Sequence, residues 1–179
     1  MHYCVFCGSN RGTNPQYAGA AAELARCLAS AGIGIVYGGG KVGLMGVLAD
    51  AALAEGGEVI GVIPTMLVDR EIAHQGLTEL RIVGSMHERK ALMADLSDAF
   101  IAMPGGYGTL DEFCEILTWT QLGLQQKPIG ILNVDGYFDR LLDLFDHAVT
   151  EQFVKSKHRD MIVTDGDPES LIARMRVPG

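Results

Sequence analysis

The stretch Ala99-Phe100-Ile101-Ala102-Met103-Pro104-Gly105-Gly106-Tyr107-Gly108-Thr109-Leu110-Asp111-Glu112 runs from a short apolar segment through a Gly-rich turn into a segment of helical character. Residues 99–103 read as a buried parallel strand, and Pro104 ends it by removing a ladder donor. Glycines at 105, 106 and 108 let the backbone turn sharply and expose its N–H groups. Thr109 is expected to cap a helix that continues through Asp111, Glu112, Glu115 and Trp119. The unbonded N–H groups of that first turn attract an anion, and phosphate suits them.

Outward from this stretch, strand-like and helix-like patterns alternate. Strands are expected at 2–7, 33–37, 58–63, 79–83, 99–103, 128–132 and 161–163, and helices at 15–31, 43–56, 85–97, 109–123, 136–152 and 168–175. Asn14 before Pro15, Ser85 with Glu88, Thr109 with Glu112, and Asp167 before Pro168 mark helix starts. Gly32, Gly56 and Gly123 mark helix ends. The alternation specifies an α/β, Rossmann-like, doubly wound and mostly parallel sheet flanked by helices. In such sheets ligands bind beyond the carboxyl ends of the strands. Three small or Gly-rich turns fall there: Gly8-Ser9-Asn10-Arg11-Gly12, Gly38-Gly39-Gly40-Lys41-Val42-Gly43, and the segment that starts at Pro104.

A chain of 179 residues, 48% hydrophobic, can bury one sizeable core, so residues 1–179 are read as a single domain. A net charge of -8 argues against a nucleic-acid partner. It also obliges a phosphorylated ligand to rely on local cations and helix N-termini. No apolar run approaches the length of a membrane span and no charged leader precedes the first strand, so a cytoplasmic protein without a membrane partner is expected. Cys4 and Cys7 form a C-x-x-C inside a strand, where alternation sends the sulfurs to opposite faces; they read as buried structural thiols. Neither the cysteines nor the scattered histidines have metal-site spacing, so no metal is expected.

Gly38-x-Gly40-x-x-Gly43 formally matches a dinucleotide fingerprint, but the acid wanted at the end of the next strand is missing: Glu58 lies at that strand's start. Neither Gly-rich turn ends as a P-loop does. Ser85-Met86-His87-Glu88-Arg89-Lys90 is either an exposed, salt-bridged first turn or a cationic anchor for phosphate, for which the planar donor set of Arg89 is suited. Glu112, one turn into its helix, could reach a ribose or a water near the anomeric carbon, or could instead bond back to Thr109 in a capping box. Asp111 points elsewhere by about 100°.

Pro104-Gly105-Gly106-Tyr107-Gly108-Thr109-x-x-Glu112, with Met86-x-x-Arg89-Lys90, the Gly38-Gly39-Gly40 turn and Cys7-Gly8-Ser9, resembles the lonely-guy (LOG) family of cytokinin riboside 5′-monophosphate phosphoribohydrolases, members of which were often labelled lysine decarboxylases. The resemblance reaches from the first strand to about Phe153. It implies hydrolysis of the N-glycosidic bond of N6-substituted adenosine 5′-monophosphates to free base and ribose 5-phosphate, with action on AMP itself in some relatives. It makes Arg89 and Glu112 the catalytic pair. Ser9, Gly39, Met86, Lys90, Gly105, Gly106, Tyr107, Gly108, Thr109, Leu110, Asp111 and Thr118 are then substrate contacts, and Glu71 a further one. Many members carry Glu-Glu where this chain has Asp111-Glu112, which weakens the case for a direct role of Asp111.

Glycosidic cleavage passes through an oxocarbenium-like sugar, so a carboxylate beside the anomeric carbon and a phosphate anchor suffice, and no cofactor is expected. Lysine decarboxylation would require pyridoxal phosphate on a Schiff-base lysine, and neither Lys41 nor Lys90 has a recognisable partner for the pyridine ring. The alternative is a non-catalytic nucleotide or cofactor carrier of the same fold. Met45, Met66 and Met103 could receive an isoprenoid substituent but equally suit a core. Phe113, Ile116, Leu117, Trp119, Leu122 and Leu124 spread over more than one side of their helix, so a homodimer through it is expected, as the resemblance also implies.

Overall fold

The computed structural model describes residues 1–68 and 72–175. Its strands are β1 His2–Phe6, β2 Gly34–Tyr37, β3 Val59–Pro64, β4 Glu79–Val83, β5 Ala99–Ala102, β6 Ile129–Leu132 and β7 Ile162–Asp165. The α-helices are α1 Gln16–Ser30, α2 Gly43–Ala54, α3 Met86–Asp95, α4 Tyr107–Gln121, α5 Asp139–Thr150, the short α6 Ser156–Arg159 and α7 Pro168–Arg174. All strand pairings are parallel, in the order β4-β3-β2-β1-β5-β6-β7.

This order places the functional turns. The chain winds outward from β1 to β4, then returns and winds the other way from β5 to β7, so the reversal lies between β1 and β5. At such a switch point the loops after the two strands diverge and leave a crevice. Those loops begin at Cys7 and Met103. They are tied together by Met103 N–H donating to the Phe6 carbonyl (2.8 Å) and Gly8 N–H donating to the Pro104 carbonyl (3.1 Å).

Side-chain alternation along β1 supplies both layers of the core. Tyr3, Val5 and Cys7 join the cluster under α1, α2 and α7, with Leu24, Leu28, Leu48 and Leu171. Cys4 and Phe6 join the opposite cluster, with Met93, Phe113, Ile116 and Phe138. The thiols thus sit on opposite faces, as the alternation requires, both buried. Burial pushes each thiol pKa up, and the nearby Glu112 charge adds to it. No described helix is long and apolar enough to cross a membrane.

Helix starts differ in their devices. Ser85 caps α3 by accepting from Glu88 N–H (3.1 Å), while the Glu88 carboxylate accepts from Gly84 N–H (2.7 Å), one residue earlier than a capping box places it. Asp167 caps α7 through Ser170 N–H (2.8 Å). The expectation that Thr109 caps α4 is corrected: the cap position is Gly106, no side chain caps this helix, and Thr109 is buried inside its first turn. The glycine adopts the extended cap backbone (φ -93°, ψ -157°) and leaves the helix N-terminus without a covering side chain.

Candidate active site at the sheet switch point

Beyond the carboxyl ends of β1, β2 and β5 lies a cavity of about 320 Å³. Ser9, Gly38, Met86, Arg89, Gly106, Tyr107, Gly108, Thr109, Asp111 and Glu112 line it, with Val5, Cys7, Met45 and Leu67 as its apolar wall. Segments as distant in the chain as Val5 and Glu112 are therefore gathered by topology.

The first helical bond of α4 is Leu110 N–H to the Gly106 carbonyl (3.1 Å), so the amides of Tyr107, Gly108 and Thr109 precede it at the cavity edge. Such amides and the helix dipole favour an anion. Gly105 makes this turn possible: a Cβ there would fall on the Thr109 hydroxyl and against the Gly8 amide. The N-terminus of α2 is different. Its Leu44 and Met45 amides donate to the Gly8 carbonyl (3.0 and 3.4 Å), so the fingerprint-like turn is consumed in holding the Gly8 loop. Gly43, at φ +63°, lets Ser9 and Asn10 pass where a side chain would collide.

Arg89 enters from α3 and is only 5% exposed. Its Nε donates to the Val62 carbonyl (3.1 Å) and its Nη2 to the Gly38 carbonyl (2.8 Å), with Nη1 4.0 Å from the Met86 sulfur. The carbonyls of Val62 within β3 and of Gly38 just past β2 thus fix a guanidinium in the cavity wall. Of the two readings of the Ser85 to Lys90 cluster, burial favours an anchored cation for this residue.

Glu112 faces the same cavity from one turn into α4. Lys90 does not line it. Its ammonium lies 3.2 Å from Asp111 and 3.1 Å from Glu115, beside a small recess formed with Phe6, Glu112 and Ile116. Burial works against that charge, but the bonds from Glu115 and Asp111 outweigh it and raise the pKa above the ordinary lysine value. Thr118 is exposed on the second half of α4 and donates to the Cys114 carbonyl (2.8 Å), away from the cavity. Leu110 packs into the core, and Gly39, at φ +78°, packs on Ile63 and Leu80 while its neighbour Gly38 lines the cavity. Gly105 faces an adjoining cavity of about 270 Å³ that shares Ser9 and Gly106 with the first. Glu71 lies outside the described residues.

Of the methionines, Met45 lines the cavity, Met66 is 64% exposed and Met103 is in the core. Leu67 was not singled out from the sequence, and Gly38 was named there only as part of its Gly-rich turn. Leu67 follows β3 in a short 3-10 turn, and nothing in its residue type announces where that turn folds. Among the described residues no group of His, Cys, Asp and Glu could hold a metal ion.

An all-parallel doubly wound sheet with an anion-accepting helix N-terminus, a buried arginine and a carboxylate at its switch point defines a Rossmann-like protein with a small-molecule cleft. The chain belongs to the family described as "Possible lysine decarboxylase", which it matches over residues 45–175. It is 51% identical over 172 residues to a protein of Oryza sativa subsp. japonica named probable cytokinin riboside 5′-monophosphate phosphoribohydrolase, covering 96% of this chain and 76% of that one. A cytokinin riboside 5′-monophosphate phosphoribohydrolase of Arabidopsis thaliana is 48% identical over 172 residues, covering 96% and 80%. Among solved structures, the molybdenum cofactor binding protein of Rippkaea orientalis superposes with a TM-score of 0.73 at 24% identity, over 97% of this chain and 93% of that one. The Moco carrier protein of Chlamydomonas reinhardtii gives 0.71 at 21% identity, over 97% and 93%. At these identities the structures share the fold.

Proposed function

We propose that the protein hydrolyses the N-glycosidic bond of adenosine 5′-monophosphates carrying an N6 substituent, releasing the free base and ribose 5-phosphate, and that it accepts AMP itself. The observation that carries this reading is the placement of Glu112 one turn inside α4, in the cavity edged by that helix's first amides. A phosphate at those amides sets its ribose toward Glu112. The names of relatives about half identical over nearly the whole chain support the same activity.

In this mechanism Ser9, Gly106, Tyr107, Gly108 and Thr109 hold the 5′-phosphate. Glu112 stabilises the oxocarbenium-like ribose or draws a proton from the attacking water. Water adds to the anomeric carbon, the C–N bond breaks, and a proton returns to the departing base. Arg89, fixed by two carbonyls, meets the base or ribose without having to be ordered first. The apolar wall of Met45, Leu67 and Met86 receives the base and its substituent. Lys90 pairs with Asp111 and Glu115. Thr118 and Glu71 remain proposed substrate contacts on the resemblance alone.

The family's descriptive name points to pyridoxal phosphate, and the residues do not fit it. A Schiff-base lysine must shed its proton, whereas Lys90 is held charged by two carboxylates beside a separate recess. Lys41 is exposed and lines neither cavity at the switch point.

The deciding experiment is incubation with AMP and N6-isopentenyl-AMP, with chromatography for free base. A carrier of the same fold would return both nucleotides intact. The ratio of kcat/KM for the two substrates measures what the apolar wall adds.

The assembly proposed is a homodimer through α4, supported by Leu122 and Leu124, 65% and 70% exposed just beyond its end. A cytoplasmic location accords with four cysteines that are all free.

A further inference from the structure

Tyr137 is absent from the wall of the Arg89–Glu112 cavity, yet it holds the turn that forms that cavity's edge. It follows a tight turn in which Asp135 and Gly136 have φ of 51° and 69°. A positive φ is uncommon for a residue other than glycine, and here the Asp135 carboxylate accepts from Asn14 Nδ2 (2.8 Å). The Tyr137 ring stands edge-on to Tyr17 (centroids 5.6 Å apart) and to Phe138 (4.9 Å). From this position its hydroxyl donates to the Gly105 carbonyl at 2.5 Å.

That bond decides which way a peptide faces. The described peptides are all trans, so the Gly105 carbonyl and the Gly106 N–H point in opposite directions. With the carbonyl held by Tyr137, the Gly106 N–H faces away from that ring, and the lone pairs that repel an anion are occupied. A Gly-Gly peptide meets little steric resistance to rotation, and once rotated it would present a carbonyl where an anion-binding turn needs a donor.

We infer that Tyr137 is a positioning residue for the phosphate end of the substrate, acting through Gly105 without touching a reacting atom. The inference rests on the nucleotide reading above. Tyr137→Phe removes the hydroxyl and keeps the ring. The loss of one neutral hydrogen bond is expected to raise the calorimetric Kd for ribose 5-phosphate and the KM for AMP by up to about tenfold. Adenine, which has no phosphate, keeps its affinity, and kcat changes by less than about threefold, as expected when uniform binding is lost. Asn14→Ala, which loosens the Asp135 turn, shifts the same two constants in the same direction by less, and it decides the matter if Tyr137→Phe fails to fold. Unchanged ribose 5-phosphate affinity in these variants, or equal losses for adenine and ribose 5-phosphate, overturns the assignment. If the wild type binds ribose 5-phosphate but releases no base from either nucleotide, the hydrolase reading falls, and the ribose 5-phosphate affinities still judge Tyr137.

Discussion

Arg89 Nη2 donates to the carbonyl oxygen of Gly38 at 2.8 Å, and a Cβ on Gly38 would fall on that same nitrogen. The end of β2 and the first half of α3 therefore form one fitted unit. The glycine is required by the arginine's approach, and the arginine by the carbonyls it satisfies.

Arg89→Lys cannot bridge the Val62 and Gly38 carbonyls with one ammonium in a planar fork's geometry. An acceptor left unsatisfied in this buried setting costs about 1–3 kcal/mol, to be read from urea unfolding, and base release falls as well. Gly38→Ala is expected to lower activity by displacing the guanidinium while preserving every charge in the site. Normal turnover by Gly38→Ala would show that the position of Arg89 is unimportant.

Glu112→Gln keeps the shape of the side chain and removes its charge. Base release should fall by about 10²–10⁴-fold while AMP binding, followed by calorimetry, persists. An active Glu112→Gln protein would remove Glu112 from the mechanism.

Gly105→Ala places a methyl group against the Thr109 hydroxyl and the Gly8 amide. Backbone on one side prevents relief, so a destabilisation of about 1–3 kcal/mol is expected. Ribose 5-phosphate affinity should fall with it. Gly108→Ala, where a Cβ meets nothing within 4 Å, is the matched control for stability.

Asp165 is held down to about 2 by the Ser170 hydroxyl, the Asp167 amide and Arg174. A folded pKa below the ordinary 3.8 means stability that is present above that value and lost as pH falls toward about 2. Asp165→Asn should therefore lower Tm at neutral pH, with the difference from wild type shrinking across that acid window. A difference that stays constant down to pH about 2 would contradict the assignment.

Leu122→Glu places a charge on the exposed apolar end of α4. Sedimentation equilibrium should show a dimer for the wild type and a shift to monomer for the variant. A wild type that is monomeric at every concentration would refute the proposed assembly.

The seven strands and six of the seven α-helices of the described residues were legible because the central strands are short apolar runs and those helices start or end at Gly, Pro, Ser or Asp, whereas the four-residue α6 was too short to show a period. The face of Cys4 and that of Cys7 followed from alternation alone. Thr109 was misplaced because a residue type that caps helices also fits a first turn, and only the neighbouring Gly106 backbone shows which role applies. Lys90 was read as a substrate contact on the family resemblance, and the structure sets it outside the wall of the larger switch-point cavity. Adjacent helical positions differ by about 100°, and that rotation sends one side chain to the cavity and the other to Asp111 and Glu115.

The sequence by itself determined the parallel α/β architecture and the Gly-rich turn that starts at Pro104, since these depend on local periodicity and on residues only a few positions apart, whereas the pairing of Arg89 with Glu112 was implied by the family resemblance. The tertiary structure alone decided that β1 and β5 are neighbours, that Gly38 and Val62 hold Arg89, and that Tyr137 holds Gly105. The side-chain bonds join residues 27 to 51 positions apart and the β1–β5 pairing joins residues still further apart, and their geometry is set by strand order and packing, which no short stretch of chain encodes.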